Sequence, residues 1–404
     1  MAVDPERNAD ASDDDMDVDA LVGQGQELVD AIFQRRPLSE IKALIAAGAP
    51  VWYQDDEGTS PLHAAAYVED KELIRFLIAE GALWNAVDNL HNTAGDIALS
   101  LNNEECYKIV RDAGIRSEIL LRLLAKKAPE ASSPLNLILK ATDSTPAGST
   151  DAFLSTKLEY TKDEHGQDVC LVKVNDEEKV GVMMGWERGI MQETVRKLCT
   201  DHPNFRNGLK VLNVGFGLGI IDTLFQDLTT KPSLHVIIEP HPDVLTHMRD
   251  QGWFGKEGVK ILQGKWQDFV ESEDLLGVGG FDVIYTDTFS EDYAGMLHIS
   301  VPLADERTFS SIYPPELHRF FGHVPDLLEG PDSRFSFFNG LGATNAMFYD
   351  VYRHVSELHL ADVGIDVEWS DVDAFEGDVD RWGKTREYFA MRTYRLPIGR
   401  MKLL

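Results

Sequence analysis

Residues 209–239 read LKVLNVGFGLGIIDTLFQDLTTKPSLHVIIE. The apolar run from Leu209 to Val214 has the β-branched content of a strand and leads into glycines at 215, 217 and 219. A helix-length segment follows, and a second apolar run, HVIIE, closes on Glu239 twenty residues after the last glycine. Glycine lets the backbone approach a ligand, and a carboxylate at the tip of the second strand can accept both hydroxyls of a ribose. A lone GxGxG also serves as an ordinary strand-to-helix turn, but the flanking strands and Glu239 favour a ribose-bearing ligand. The dinucleotide fingerprint needs a third glycine three positions after the second, and residue 220 is isoleucine.

The GxGxG form with an acid-ended second strand resembles S-adenosylmethionine-dependent methyltransferases, whose cofactor has a ribose and an adenine but no phosphate. Outward from the glycines, the runs VKILQG, FDVIYTD and RFSFFNG alternate with helix-length segments from about residue 152 onward. That alternation predicts a doubly wound parallel sheet. GIDVEWSDV and REYFAMRTYRL read as two further strands, an antiparallel pair finishing the sheet. The fold expected for residues 152–404 is therefore α/β, Rossmann-like, with a mixed seven-stranded sheet of the class I methyltransferase kind.

Upstream the texture is different. Residues 1–19 are rich in Asp, Ala and Asn and read as a disordered acidic tail. In residues 20–125, Gly48, Gly81 and Gly114 are spaced 33 apart, and Ser60 and Thr93 keep the same interval. That is the ankyrin period, and SPLHAA at 60–65 lies one residue from the ankyrin signature TPLHxA. TAGDIA at 93–98 is a more degraded copy. Helix pairs are expected near Gln26–Ala47, Lys71–Glu80 and Glu104–Asp112, in an all-α array of about three repeats. Such an array is either a protein-binding surface or a cap on its neighbour. Residues 126–151, rich in Pro, Ser, Ala and Thr, read as a linker.

The formal charge of −30 repels nucleic acid and anionic membranes and attracts basic partners, although it also serves solubility alone. Cys106, Cys170 and Cys199 lack CxxC spacing, so neither a disulfide framework nor a metal site is expected, and a reducing compartment is. No apolar run reaches membrane-spanning length, and the acidic N-terminus does not read as a secretory signal. Cytoplasm and nucleus are the expected locations and a monomer the expected state.

In open α/β sheets ligands sit beyond the carboxyl ends of the strands. The residues that fall there are Gly215–Gly219, Glu239, Gly264–Asp268, Asp287–Phe289 and Asn339. Glu239 is placed to hold ribose hydroxyls. Trp266, just past the third strand, either lines an adenine face or packs in the core. Asp287 ends the strand FDVIYT and points toward the acceptor side of the cleft, where a carboxylate suits a planar guanidinium. Glu187, in MMGWERGIM, is either a second acid on that cation or a solvated helix start.

MMGWERGIM, VLNVGFG, ILQGKWQD and FDVIYTDTF together resemble guanidinoacetate methyltransferase. With the repeats added, residues 20–404 resemble its fungal and plant relatives, the type IV protein arginine N-methyltransferases that modify the internal δ nitrogen (N5) of arginine. The resemblance implies that S-adenosylmethionine is bound by Gly215, Phe216, Gly217, Leu218, Gly219, Ile220, Glu239, Pro240, His241, Trp266, Gln267 and Met191. It also implies that Glu187 and Asp287 hold the guanidinium; Tyr160 is placed to close over the cofactor. After the Trp-Glu pair the family commonly carries Thr-Pro-Tyr or Thr-Pro-Ile, whereas this chain has Arg188, Gly189 and Ile190. SEDYAGM, after FDVIYTDTF, lacks the double-glutamate hairpin typical of enzymes that modify terminal nitrogens. The expected reaction is monomethylation of the δ nitrogen in a basic protein, by resemblance a ribosomal one. The rivals are a small-molecule guanidino methyltransferase and a non-catalytic interaction protein that keeps the cofactor fold.

Overall fold

The computed structural model describes residues 18–127, 150–173, 179–288, 316–374, 381, 382, 385 and 387–402. The expected tail through residue 17, the linker from 128 to 149, Phe289 and the SEDYAGM segment lie outside them. The chain divides into two compact units, Met1–Val110 and Arg111–Leu404.

The first unit is built from helix pairs. These are α1 (Val18–Phe33) with α2 (Leu38–Ala46), α3 (Pro61–Tyr67) with α4 (Lys71–Ala79), and α5 (Ala94–Ser100) with the start of α6 (Glu104–Lys127). The period is visible in the hydrogen bonds as well as the letters. Asp55 Oδ1 accepts the N–H groups of Glu57 and Thr59, and Asp88 Oδ1 accepts those of Leu90 and Asn92, the same turn 33 residues on. Ser60 and Thr93 cap α3 and α5, answered by His63 and Asp96 in reciprocal capping boxes. The His63 ring then reaches forward, its Nε2 lying 2.9 Å from the carbonyl of Asn92, so one repeat's cap fastens the next repeat's turn. Leu28, Ile32, Ile41, Leu62, Ala65, Ile74, Leu77 and Ala98 form the buried stripe that no single pair could cover alone.

Gly48 and Gly81 adopt positive φ, 110° and 97°, and end their helices as the period requires. Gly114 does not end its helix: α6 runs through it, 24 residues in all from Glu104 to Lys127. The residues after it, IRSEILLRLLAKK, are good helix formers with no proline, and they outweigh the cost of one interior glycine, about 1 kcal/mol.

The second unit holds a seven-stranded sheet in the order β6-β5-β4-β7-β8-β10-β9. Its strands are β4 (Lys210–Val214), β5 (Leu234–Glu239), β6 (Val259–Gln263), β7 (Val283–Thr286), β8 (Arg334–Phe337), β9 (Ile365–Asp373) and β10 (Thr393–Met401). β6 through β8 run parallel, and β10 and β9 finish the sheet antiparallel, the mixed architecture expected from the sequence. The order reverses at β4, which places the crevice past the carboxyl ends of β4 and β7.

Two features depart from the sequence expectation. A separate antiparallel sheet of β1 (Leu158–Lys162), β2 (Asp168–Lys173) and β3 (Lys179–Met184) precedes the main one. β1 mixes charged and apolar residues, and β2 and β3 carry only the short apolar stretches VCLV and VGVMM, which the reading passed over. The second departure is REYFAM, expected within the last strand: the described residues there, 387–391, are irregular, and the strand begins only at Thr393. Among the described residues no helix is long and apolar enough to cross a membrane, and no cluster of His, Cys, Asp and Glu is arranged to hold a metal.

Candidate functional site

β4 delivers the glycine turn, and each glycine is needed for a different reason. Gly215 has φ 95°, and a Cβ there would lie 2.0 Å from the carbonyl oxygen of Asp287. At Gly217 an added Cβ would meet Met183 Sδ at 2.8 Å, and at Gly219 the ring of Phe216 at 2.3 Å. The first glycine therefore brings the turn into backbone contact with the end of β7. Beneath it, the Asn213 amide donates to the Gly215 carbonyl (2.8 Å) and to both oxygens of buried Asp222 (2.9 and 2.8 Å). His235 Nε2 lies 3.0 Å from Asp222, and Gln226 Nε2 lies 3.1 Å from His235 Nδ1. A polar network from two strands and the following helix, α9 (Ile220–Gln226), thus fixes which way the loop's peptide groups face.

Glu239 ends β5 with 4% of its surface exposed. One carboxylate oxygen accepts the Phe216 N–H at 2.9 Å and the other the His241 N–H at 2.7 Å. Burial pushes this carboxyl up to about 7, against the pull of those backbone donors. The Gly217 N–H acts on it as well, so of the carboxylate's roughly four lone-pair sites at least one stays open for a ribose hydroxyl.

The other expected cofactor residues fall into two groups. Phe216, Leu218 and Ile220 line the turn; Phe216 and Ile220 are buried, and Phe216 stands edge-on to Trp253 at 5.1 Å. Tyr160, on β1, stacks on His247 at 3.9 Å, and the negative charge of Glu239 acts on its phenol. The remaining side chains have work of their own. Pro240 is half-buried, and the His241 ring caps α10 (Pro242–Asp250) through Asp243 N–H and lies 3.2 Å from the Phe153 carbonyl. Trp266 is buried edge-on to Phe320 and His323, at 5.4 and 5.7 Å, while Gln267 is exposed. Met191 is buried, its sulfur accepting the Tyr285 hydroxyl at 3.3 Å. Asn339, at the end of β8, turns its amide back to Tyr349 and the Arg395 carbonyl, away from any ligand.

The acceptor half faces the end of β7. Glu187 closes a single 3-10 turn (Gly185–Glu187) directly ahead of α8 (Arg188–Cys199), and it is buried rather than solvated, with 8% exposure. Its Oε1 accepts the Tyr388 hydroxyl. Asp287 is half-buried, with its N–H donating to the Val214 carbonyl at 2.9 Å. Burial raises both carboxyls above the ordinary range, and the charge of Asp287 raises Glu187 further; Tyr388 and the Arg381 guanidinium pull the other way. The two carboxyls thus act on each other at this end of the crevice, and Arg381 is the cation that acts on Glu187.

A family model for ankyrin repeats, in three copies, matches residues 28–119. Over the whole length, the chain is 39% identical to protein arginine N-methyltransferase 2 of Cryptococcus neoformans, across 91% of this chain and 92% of that one. It is 34% identical to the protein of the same name from Aspergillus oryzae, across 82% and 78%, and 33% identical to that from Saccharomyces cerevisiae, across 84% and 82%. The chain belongs to the protein arginine N-methyltransferase 2 family.

Within this family member, the sequence reading missed the residues that support the site. Met183 lies against Gly217, and Asn213, Asp222 and His235 brace the turn from below. Asp222 and His235 are apolar-face positions occupied by polar residues, a signal open to a reader who asks which strand and helix positions break their pattern. Arg381 and Tyr388 carry no such signal, because they come from the connection before β10, and only the fold brings them to Glu187.

Proposed function

We propose that this protein is an S-adenosylmethionine-dependent protein arginine N-methyltransferase that places one methyl group on the δ nitrogen of arginine in a basic protein, a ribosomal protein being the expected target. The observation that carries the reading is the pair Glu187 and Asp287, two carboxyls whose charges act on each other, beside a glycine turn that packs on the Asp287 carbonyl. The names of the relatives support arginine as the acceptor.

The residues fit the cofactor. Glu239 keeps acceptor capacity for a ribose hydroxyl, and the glycine turn beside it packs on the Asp287 carbonyl, on Met183 of the small sheet and on the Phe216 ring. S-adenosylmethionine, when bound, supplies a methyl group on a positively charged sulfur. A guanidinium, with a pKa above about 12 and delocalised lone pairs, is a poor nucleophile in water. Glu187 and Asp287 hold its terminal N–H groups, draw positive charge toward them and return electron density to the internal nitrogen. Because both carboxyls sit above the ordinary range, either is basic enough to take the proton that the methylated nitrogen sheds. Holding the nitrogen in line, with fixed charges around it, supplies most of the acceleration. The internal nitrogen has room for one methyl, so a single methylation is expected.

Incubation with radiolabelled S-adenosylmethionine and a hypomethylated extract tests the substrate class. A labelled basic protein is expected, with label retained on arginine after hydrolysis; label only in small metabolites would point to the guanidino-metabolite reading instead.

A further inference from the structure

We infer that Tyr388 is a positioning residue of the acceptor site: its hydroxyl donates to Glu187 Oε1 and so fixes the rotation of the carboxylate that meets the substrate's guanidinium. This rests on the reading that those two acids hold a guanidinium. Among the described residues, Tyr388 is the hydrogen-bond partner of the Glu187 carboxylate. An arginine's preferred partner is a carboxylate with both oxygens free, which takes two parallel N–H groups. The oxygen that takes the phenol keeps a second lone pair, so Glu187 can still meet terminal N–H groups alongside Asp287, in the plane that the phenol sets. The cation is then held through its terminal N–H groups and its internal nitrogen is left unclaimed.

The tyrosine is well placed to do this because its segment is pinned. Its ring stands edge-on to Trp382 at 4.7 Å and tilts against Trp186 at 5.7 Å. Arg381 lies over Trp186 at 4.1 Å and donates to the carbonyls of Ala374 and Phe389 at 2.7 and 3.0 Å, while Gln167 Nε2 donates to the Arg381 carbonyl at 2.8 Å. A phenol suits the position chemically: it donates one hydrogen bond without bringing a cation that would compete with the substrate. The charged and titratable groups that act on Glu187 are Asp287 at the end of β7 and Arg381 with Tyr388 from the connection before β10. The nearby phenols Tyr285 and Tyr394 are buried and stay neutral through the working range.

The test compares the full-length protein with Tyr388→Phe, which keeps the ring and removes only the hydroxyl. Loss of the donor should lower kcat on an arginine peptide about tenfold, leave the peptide KM unchanged or lower, and move the acid limb of kcat/KM up by about one pH unit. Cofactor affinity and the unfolding temperature should hold. In parallel, carboxyl bands in difference infrared spectra, assigned to Glu187 through Glu187→Gln, should titrate at higher pH in Tyr388→Phe. An unmoved Glu187 band, or a loss of activity spread evenly over pH with a raised KM, overturns the inference. A moved band in a protein whose wild type never methylates arginine would retain Tyr388 on Glu187 but overturn the guanidinium reading on which its positioning role rests.

Discussion

Glu239 illustrates how one side chain can carry a measurable consequence of the whole cradle. Its buried carboxyl sits near 7 in the free protein, and ribose hydroxyls donate only to its ionised form. Cofactor binding should therefore release a proton near neutrality and weaken as pH falls below about 7, by up to tenfold per unit, which calorimetry in buffers of different ionisation enthalpy would read. The sign for stability is opposite. A carboxyl raised on folding contributes stability that is complete below its unfolded value of 4.5 and is lost as pH rises through about 7. Wild type should lose stability relative to Glu239→Gln between pH 5 and 8 when the cofactor is absent, as followed by thermal unfolding at each pH. Asp287 separates the two halves of the site. Asp287→Asn should leave the dissociation constant for S-adenosylmethionine within a few-fold while reducing turnover by orders of magnitude; a large loss of cofactor binding would move Asp287 out of the acceptor role.

The glycine turn couples those halves. An alanine at 215 would need a left-handed backbone and would drive its Cβ to within 2.0 Å of the Asp287 carbonyl. Gly215→Ala should accordingly impair cofactor binding and turnover together, unlike Asp287→Asn, and paired binding and rate measurements distinguish the two patterns. This turn was readable in the sequence because its cause is local: strand, three glycines, helix and acid all lie within thirty-one residues. The repeats were readable because the period of 33 recurs in caps and turns alike. What was not readable depends on distance along the chain. The Tyr388 hydroxyl reaches Glu187 across 201 residues, and no local pattern marks that pairing. The small sheet escaped for another reason. LEYTK is mostly polar and DVCLVK offers only four apolar residues in a row, and their pairing is set by the turn at Asp163–Gly166, where Asp163 accepts the N–H groups of His165 and Gln167. Gly114 shows the reverse error, a periodic glycine whose neighbours carry the helix through it.

Glu187, Glu239 and Asp287 all lie in the second unit, and the repeats are the candidate docking surface. If the repeats recruit a protein substrate, removing residues 1–110 should raise the KM for protein far more than for a short arginine peptide. Equal effects on both would assign the repeats to stability alone. The charge of −30 bears on the same question through the solvent. Attraction between this surface and a basic substrate should make kcat/KM for protein fall as salt rises, because screening shortens to about 8 Å at physiological ionic strength. A neutral arginine analogue of comparable size should show no such slope. The reading of the whole molecule nevertheless turns on one atom, the nitrogen that receives the methyl. Fragmentation mass spectrometry of the arginine modified by the full-length protein measures it directly. The account predicts a single methyl on the δ nitrogen, retained when the terminal nitrogens are lost as unmodified ammonia or carbodiimide; a methyl that departs with a terminal nitrogen would contradict it.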